Sequence, residues 1–268
     1  MTTAQRIIKY CAVAFALFLV VTIIGSICGA LGLLSHFYGD EEPGPMQTYT
    51  VSQDVQDLNL DIGAASLQVV EGEQFSVQSN HKHLTVEENN GTLRIREDGQ
   101  FFGLNDGGIT VTLTIPRGFV FGRASLSTGA GSVKVDSLSA ETLHMEFGAG
   151  AADIGNLHAS VKADISGGTG KLVIRDGAIN NLSFEIGVGK LDLTSKLTGD
   201  CDLEFGVGSA DVCMLGDAQD YRIELDKGLG SARLDGVSME DGGIYGSGTT
   251  KIDIDSGIGS LDIRTENR

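Results

Sequence analysis

The sequence contains no tryptophan and only 16 phenylalanine and tyrosine residues among its 268 positions. So few aromatic rings leave little surface on which a sugar could stack, which argues against a carbohydrate-active enzyme. Prolines number only 3 against 38 glycines, so the glycine content does not mark a disordered proline–glycine linker. No helical period follows residue 35, and no nucleophile motif of the type that opens a helix is present. We therefore expect no enzyme and assign no catalytic or cofactor-binding residue.

Acidic residues are missing from the first 39 positions, and all 36 of them follow, with 17 of the 19 basic residues. The chain from Asp40 onward therefore carries a formal charge of −19. Such a surface repels nucleic acid and anionic lipid headgroups and attracts divalent cations or cationic polymers. We expect no nucleic-acid partner.

An uncharged apolar stretch, Cys11 to Leu34, is long enough to cross a bilayer as a helix. Arg6 and Lys9 precede it, which favours a cytoplasmic N-terminus and an extracellular C-terminal domain. The sequence thus predicts a single-pass protein of the cell membrane, bound to the lipid bilayer through residues 11–34. A cleaved signal peptide is the alternative, but its apolar region is normally shorter, about 7–15 residues. A lipoprotein cysteine at Cys28 is a second alternative.

The predicted organisation has four parts: a cytoplasmic N-terminus (1–10), a transmembrane helix (11–34), a stalk (35–50) and an extracytoplasmic domain (51–268). Within the helix, Gly25 and Gly29 have the spacing of helix-dimer faces, so a homodimer is a hypothesis.

A Gly-x-Gly phrase followed by alternating apolar residues occurs seven times between Leu126 and Ile263. The first glycines of successive copies recur at near-constant intervals, and only the interval before Gly257 is clearly longer. A period of about 20 residues built of short strands and glycine turns is typical of a β-solenoid. The glycines predicted to form the turns are Gly129, Gly131, Gly148, Gly150, Gly168, Gly170, Gly187, Gly189, Gly206, Gly208, Gly228, Gly230, Gly257 and Gly259. The predicted fold class is all-β, a single-stranded β-solenoid of about 19–20 residues per rung, after one N-terminal transmembrane helix.

Three motifs carry a family resemblance: Leu-Asn-Leu-Asp-Ile62-Gly63, Thr-Ile115-Pro116-Arg117-Gly118 and Leu-Ser-Thr-Gly129-Ala-Gly131-Ser-Val-Lys-Val. With its motifs in this order, the segment from about Thr48 to Ile263 resembles the bacterial "putative adhesin" β-solenoid family, a domain of unknown function that occurs in envelope proteins. The resemblance implies a membrane-tethered extracytoplasmic protein, in some relatives beside envelope stress signalling systems. It implies no catalytic residues.

Two acidic columns are predicted if successive rungs stack in register. The first would hold Glu146, Asp164, Glu185, Glu204, Glu224 and Asp253, and the second Asp153, Asp192, Asp211 and Asp262. Like charges facing each other on neighbouring strands are destabilising, so one hypothesis is that the columns bind Ca²⁺ or a cationic ligand. The alternative is a solvated acidic face.

His81 and His83 are close enough in sequence to share a strand face, but no third ligand completes a metal set, so both are interpreted as surface histidines. Cys201 occupies an inward apolar position and is interpreted as a small buried hydrophobe. A disulfide between Cys201 and Cys213 is an alternative in an oxidising exterior.

The sequence favours a non-catalytic membrane-anchored envelope protein with an adhesin-like or sensory binding surface. Its partner would be an envelope protein or a wall polymer. The alternatives are an accessory regulator of an envelope stress signalling system and a polysaccharide-active enzyme on a β-helix.

Overall fold

A computed structural model describes residues 43–97 and 108–267, and these form an all-β structure. One short 3-10 helix, Ala218–Asp220, interrupts the strands. The strands are β1 Gln47–Thr50, β2 Asp57–Gly72, β3 Ser76–Ser79, β4 Leu84–Asn89, β5 Thr92–Glu97, β6 Thr110–Pro116, β7 Phe121–Ile174, β8 Gly177–Asn180, β9 Leu182–Thr198, β10 Asp200–Leu215, β11 Tyr221–Leu234, β12 Val237–Ser238, β13 Gly243–Gly246 and β14 Thr250–Glu266.

Alternation of apolar and polar residues sets the strands, because successive side chains point to opposite faces. In β6, Val111, Leu113 and Ile115 are buried while the threonines between them are partly exposed. The same alternation in β9 buries Phe184, Leu191 and Leu193. The buried aliphatic side chains of all the long strands join in one hydrophobic core.

The strands form one 14-stranded sheet with the main order β1-β3-β6-β2-β7-β8-β9-β10-β14-β11-β12. From β2 to β11 the long strands are parallel, and β9 pairs with β10 exactly one repeat later, for example Val188 with Val207. Short antiparallel strands lie at both ends. At the first end β3 pairs with β1 and β6, and β4 pairs with β5. At the second end β12 and β13 pair with β11.

The prediction of a single-stranded β-solenoid, with one rung stacked on the next in chain order, is wrong. Strand β14 lies between β10 and β11, so the last copy of the repeat is inserted inside the sheet rather than added to its end. The antiparallel strands at both ends also depart from a uniform coil. The reason is that a sequence period shows which positions are equivalent but not which copy lies beside which. The longer sequence interval before Gly257 contains the short strands β12 and β13, which we call the straps, and after them the chain returns into the sheet as β14.

The predicted membrane location also needs correction. Within residues 43–97 and 108–267 no helix is long and apolar enough to span a bilayer, so the single-pass assignment is not upheld. The segment Cys11 to Leu34, on which the transmembrane helix and the glycine-mediated homodimer were predicted, lies outside the described residues. Of the predicted stalk, Gln47–Thr50 is strand β1 and pairs with β3.

Candidate functional site

The paired glycines of successive repeats lie directly on one another and form a feature that we call the glycine corner. Its order across the sheet is Gly129/Gly131, Gly148/Gly150, Gly168/Gly170, Gly187/Gly189, Gly206/Gly208, Gly257/Gly259 and Gly228/Gly230. At Gly208 the backbone has φ 144°, and a Cβ there would overlap the carbonyl oxygen of Gly189. Only glycine allows this approach and this backbone conformation. The corner therefore holds the strands before and after it in fixed register.

Five exposed carboxylates lie two residues before a first glycine, and four of them are consecutive neighbours across the sheet, in a row that we call the upstream column: Glu185, Glu204, Asp255 and Asp226. The fifth, Glu146, precedes Gly148 in β7 and lies outside this run. On adjacent parallel strands Glu185 lies opposite Glu204, Glu204 opposite Asp255, and Asp255 opposite Asp226. Neighbouring strands are only about 4.8 Å apart. No described lysine or arginine forms an ion pair with any of the four. The column is thus a row of uncompensated negative charge.

A second row, the flanking column, lies four residues before the glycines. It holds Asp164, Ser183, Asp202, Asp253 and Glu224 in spatial order. Lys162 pairs with Asp164 at 2.7 Å and Arg222 with Glu224 at 2.6 Å. Partial burial raises the pKa of Asp253, and the charges of Glu224 and Asp202 raise it further.

The structure therefore divides the first acidic column predicted from the sequence between two columns. Glu185 and Glu204 belong to the upstream column, whereas Asp164, Glu224 and Asp253 belong to the flanking one. Glu146 lies towards the other end of the corner, where the Ser127 hydroxyl donates to it at 3.5 Å. Sequence reasoning missed Asp226 and Asp255, although their offset of two residues before Gly228 and Gly257 was a usable signal.

The downstream column lies three residues after the second glycines and is compensated. Asp192 and Asp211 lie opposite each other on adjacent strands, and Asp211 also lies opposite Asp262. Lys190 Nζ lies 3.1 Å from Asp192 and 3.2 Å from Asp211, and hydrogen bonds to both carboxylates raise its pKa. Lys171 lies 3.6 Å from Asp192. Each acid here has a basic neighbour.

The two ends of the downstream column are compensated by arginines. Arg175 binds Asp153 with both Nε (2.8 Å) and Nη2 (2.5 Å), and this hydrogen bonding holds the pKa of Asp153 below its ordinary value. Arg233 lies 3.8 Å from Asp262. The predicted second column is thus brought together, but as a network of ion pairs.

A metal site in either column would also need several ligands that converge on one ion. Within residues 43–97 and 108–267 no three acidic, histidine or cysteine side chains are grouped closely enough to hold one ion. The Ca²⁺ hypothesis for both columns stays a prediction.

His81 is not a surface residue, contrary to the interpretation from sequence. It is only 3% exposed, and its Nε2 lies 3.3 Å from Glu97 Oε1. Its Nδ1 accepts a hydrogen bond from the His83 backbone N–H at 3.0 Å, while His83 itself is exposed. Glu97 Oε2 accepts from the N–H of Gly63 at 2.7 Å, in the strand that stacks on Gly129. This buried pair therefore closes the first end of the glycine corner.

The pKa of Glu97 reflects two opposing influences. Burial would raise it, but hydrogen bonding from His81 and from the N–H groups of Gly63 and Ala64 holds it below its ordinary value. No sequence period relates His81 to Glu97, so sequence reasoning had no signal for this contact.

Cys201 and Cys213 are both buried, and no disulfide joins them. The burial of Cys201 agrees with its interpretation as a small hydrophobe in an inward position. Burial also raises the pKa of the Cys201 thiol to about 11, which keeps it protonated and unreactive at neutral pH.

The shape of the surface around the upstream column comes from the missing side chains of the glycine corner. An open cleft of about 420 Å³ is lined by Glu185, Glu204, Asp226, Asp255 and Phe205 with the adjoining glycines. A second cleft of about 290 Å³ is lined by Glu224, Asp226, Asp253, Asp255 and Ile244. The two clefts share Asp226 and Asp255 and are therefore adjoining.

Comparisons with known proteins give structural likenesses only. A putative cell adhesion protein from Clostridium sporogenes has 18% identity and a TM-score of 0.39 over 84% of this chain and all of its own. A putative adhesin from Bacteroides fragilis has 15% identity and a TM-score of 0.41 over 84% of this chain and all of its own. A putative lipid binding protein from Parabacteroides distasonis has 16% identity and a TM-score of 0.38, covering 85% of this chain and 98% of its own.

No family model matches this chain, and no curated protein does. At such identities and TM-scores the structural likenesses decide neither function nor partner.

Proposed function

We propose that this chain is a non-catalytic binding protein and that its upstream column receives a positively charged partner. The observation that carries the proposal is the contrast between the two sides of the glycine corner. Downstream, Asp153, Asp192 and Asp211 all have basic neighbours within 4 Å. Upstream, four carboxylates face one another on adjacent strands without one.

An uncompensated column costs stability, because like charges directly opposite each other on neighbouring strands repel. The same fold places lysines among the acids on the other side of the corner, at Lys171 and Lys190. Ion pairs with basic residues are therefore available to this architecture, but the described residues supply none to the upstream column. A cationic partner would supply them and would gain long-range attraction from the net charge of −17.

The test measures the affinity of pentalysine for the full chain at low salt by titration calorimetry. The double variant Glu204→Gln/Asp255→Asn removes half of the upstream charge, and Asp192→Asn/Asp211→Asn is the control with the same change in net charge. We expect the upstream variant to bind roughly tenfold more weakly, with little change in the control. Equal weakening of both would mean that only overall charge matters and would refute the proposal.

A further inference from the structure

The upstream column lies in a channel that runs across the strands. On one side it is bordered by the glycine corner, which has no side chains at Gly187, Gly206, Gly257 and Gly228. On the other side lies the flanking column with Asp253 and Glu224. The two adjoining clefts of about 420 and 290 Å³ make this channel continuous along Asp255 and Asp226.

One end of the channel is apolar and exposed. Ile244 on strap β13 is the cross-strand partner of Glu224, lines the second cleft and is 57% exposed. Lys227, the base nearest in sequence, turns its ammonium to the Met239 carbonyl at 3.0 Å. The channel thus combines a row of uncompensated carboxylates with a hydrophobic terminus.

We propose, as an extension of the proposed function, that the partner is an extended lysine- or arginine-rich segment of another protein. It lies along the channel, across the strands, with an apolar side chain against Ile244. The argument for this occupant is charge complementarity combined with the apolar end. A second copy of this chain would bring the same negative column and would be repelled.

The dimensions agree with a short peptide. Four carboxylates on strands about 4.8 Å apart span roughly 14 Å, and an extended chain covers that length with about five residues at about 3.3 Å each. Alternate residues of an extended chain point the same way, so three basic side chains would face the column. The aliphatic stems of the lysine and arginine side chains are long and flexible, so they bridge the difference between the spacing of the strands and that of alternate peptide residues. The stems also pack on the apolar surface beside Phe205.

The experiment compares two peptides of one composition by fluorescence anisotropy with the full chain. One is Lys-Ser-Lys-Ser-Lys-Ser-Val, whose three lysines and terminal valine lie on one face of an extended chain, and the other is the block sequence Lys-Lys-Lys-Ser-Ser-Ser-Val. The variant Ile244→Ser removes the apolar terminus, and Val120→Ser is its control, because Val120 is 56% exposed but does not line the channel. We expect the alternating peptide to bind several-fold more tightly than the block peptide, and Ile244→Ser alone to reduce its binding several-fold.

The outcomes separate this inference from the proposed function. Equal binding of the two peptides, or an Ile244→Ser variant that binds like the native chain, overturns the inference while leaving a cation-binding column. Tighter binding of free spermidine than of either peptide also overturns it, in favour of a small polyamine. Failure of every cationic probe overturns both.

Discussion

The upstream and downstream columns each contain four acidic residues, but among the residues that the structure describes only the acids of the downstream column have basic neighbours within 4 Å. Downstream, basic side chains are interleaved: Lys190 bridges Asp192 and Asp211, and Arg175 binds Asp153 in a bidentate pair. Upstream, Glu185, Glu204, Asp255 and Asp226 stand in line without compensation. Hydrogen bonding from Arg175 lowers the pKa of Asp153. In the flanking column the pKa of Asp253 is raised, first by partial burial and then by the charges of Glu224 and Asp202.

The fold itself therefore does not require a row of uncompensated acidic residues. The parallel register imposes a column at every outward position, and the residue chosen there decides whether it is neutral or charged. The charge of the upstream column is thus set by the residues at these positions, and it is the basis of the proposed cationic partner.

The largest effect is expected from breaking the corner that holds both columns in place. Gly208→Ala would drive a Cβ into the Gly189 carbonyl oxygen at φ 144°. We expect a loss of about 3 kcal/mol of unfolding free energy or more, from strain and overpacking together. Urea unfolding measures it. Gly236→Ala is the matched control, because its φ is also positive (80°) but no atom lies within 4 Å of the added Cβ; similar losses in both variants would contradict a packing role for the corner.

A smaller effect is expected where one carboxylate closes the first end of the corner. Glu97→Gln weakens the acceptor for the Gly63 N–H and the partner of His81 and should cost about 1–3 kcal/mol at neutral pH. The folded-state pKa of Glu97 lies below its ordinary value of 4.5. Its contribution is therefore full above that value and is lost as the pH falls through the folded pKa.

Chemical unfolding of both proteins between pH 7 and pH 3 checks this prediction. The stability gap between the native chain and Glu97→Gln should narrow on acidification. A gap that stays constant or widens would show that the ionised carboxylate is not what stabilises the corner.

The smallest expected effect is a change in unfolding free energy that has opposite signs in the upstream and downstream columns. Glu204→Gln should raise the unfolding free energy slightly, by about 0.5 kcal/mol, because it removes facing like charges. Asp192→Asn should lower it, because it deprives Lys171 and Lys190 of a partner. Thermal unfolding measures both changes, and added salt should shrink them. Two changes of the same sign would erase the distinction between the columns.

Much of the local structure could be predicted from the sequence, because it follows from short patterns. The alternation around Leu191 and Leu193 marks an inward face. Gly187 and Gly189 mark the close approach of neighbouring backbones, and both lie within the continuous strand β9; that they form a turn stays a prediction. The order of the strands could not be predicted. Nothing local states that Gly257 stacks between Gly206 and Gly228, since that depends on how the straps fit the end of the sheet.

The candidate site was predicted in part. Glu185 and Glu204 were found, but counting from the wrong residue placed Asp253 and Glu224 in their column and left out Asp255 and Asp226. The compensation by Arg175 was beyond the sequence, because that side chain reaches Asp153 from the following repeat. Contacts between segments that share no sequence period, such as His81 with Glu97, had no sequence signal.

Amide chemical shifts of the isotope-labelled full chain, recorded during titration with pentalysine, would locate the bound peptide on the surface. We expect the shifted amides to cluster at Glu185, Glu204, Asp226 and Asp255 and in the adjoining glycines, with the amides of Asp153, Asp192 and Asp211 unmoved. Shifts spread evenly over both sides of the glycine corner would contradict this expectation.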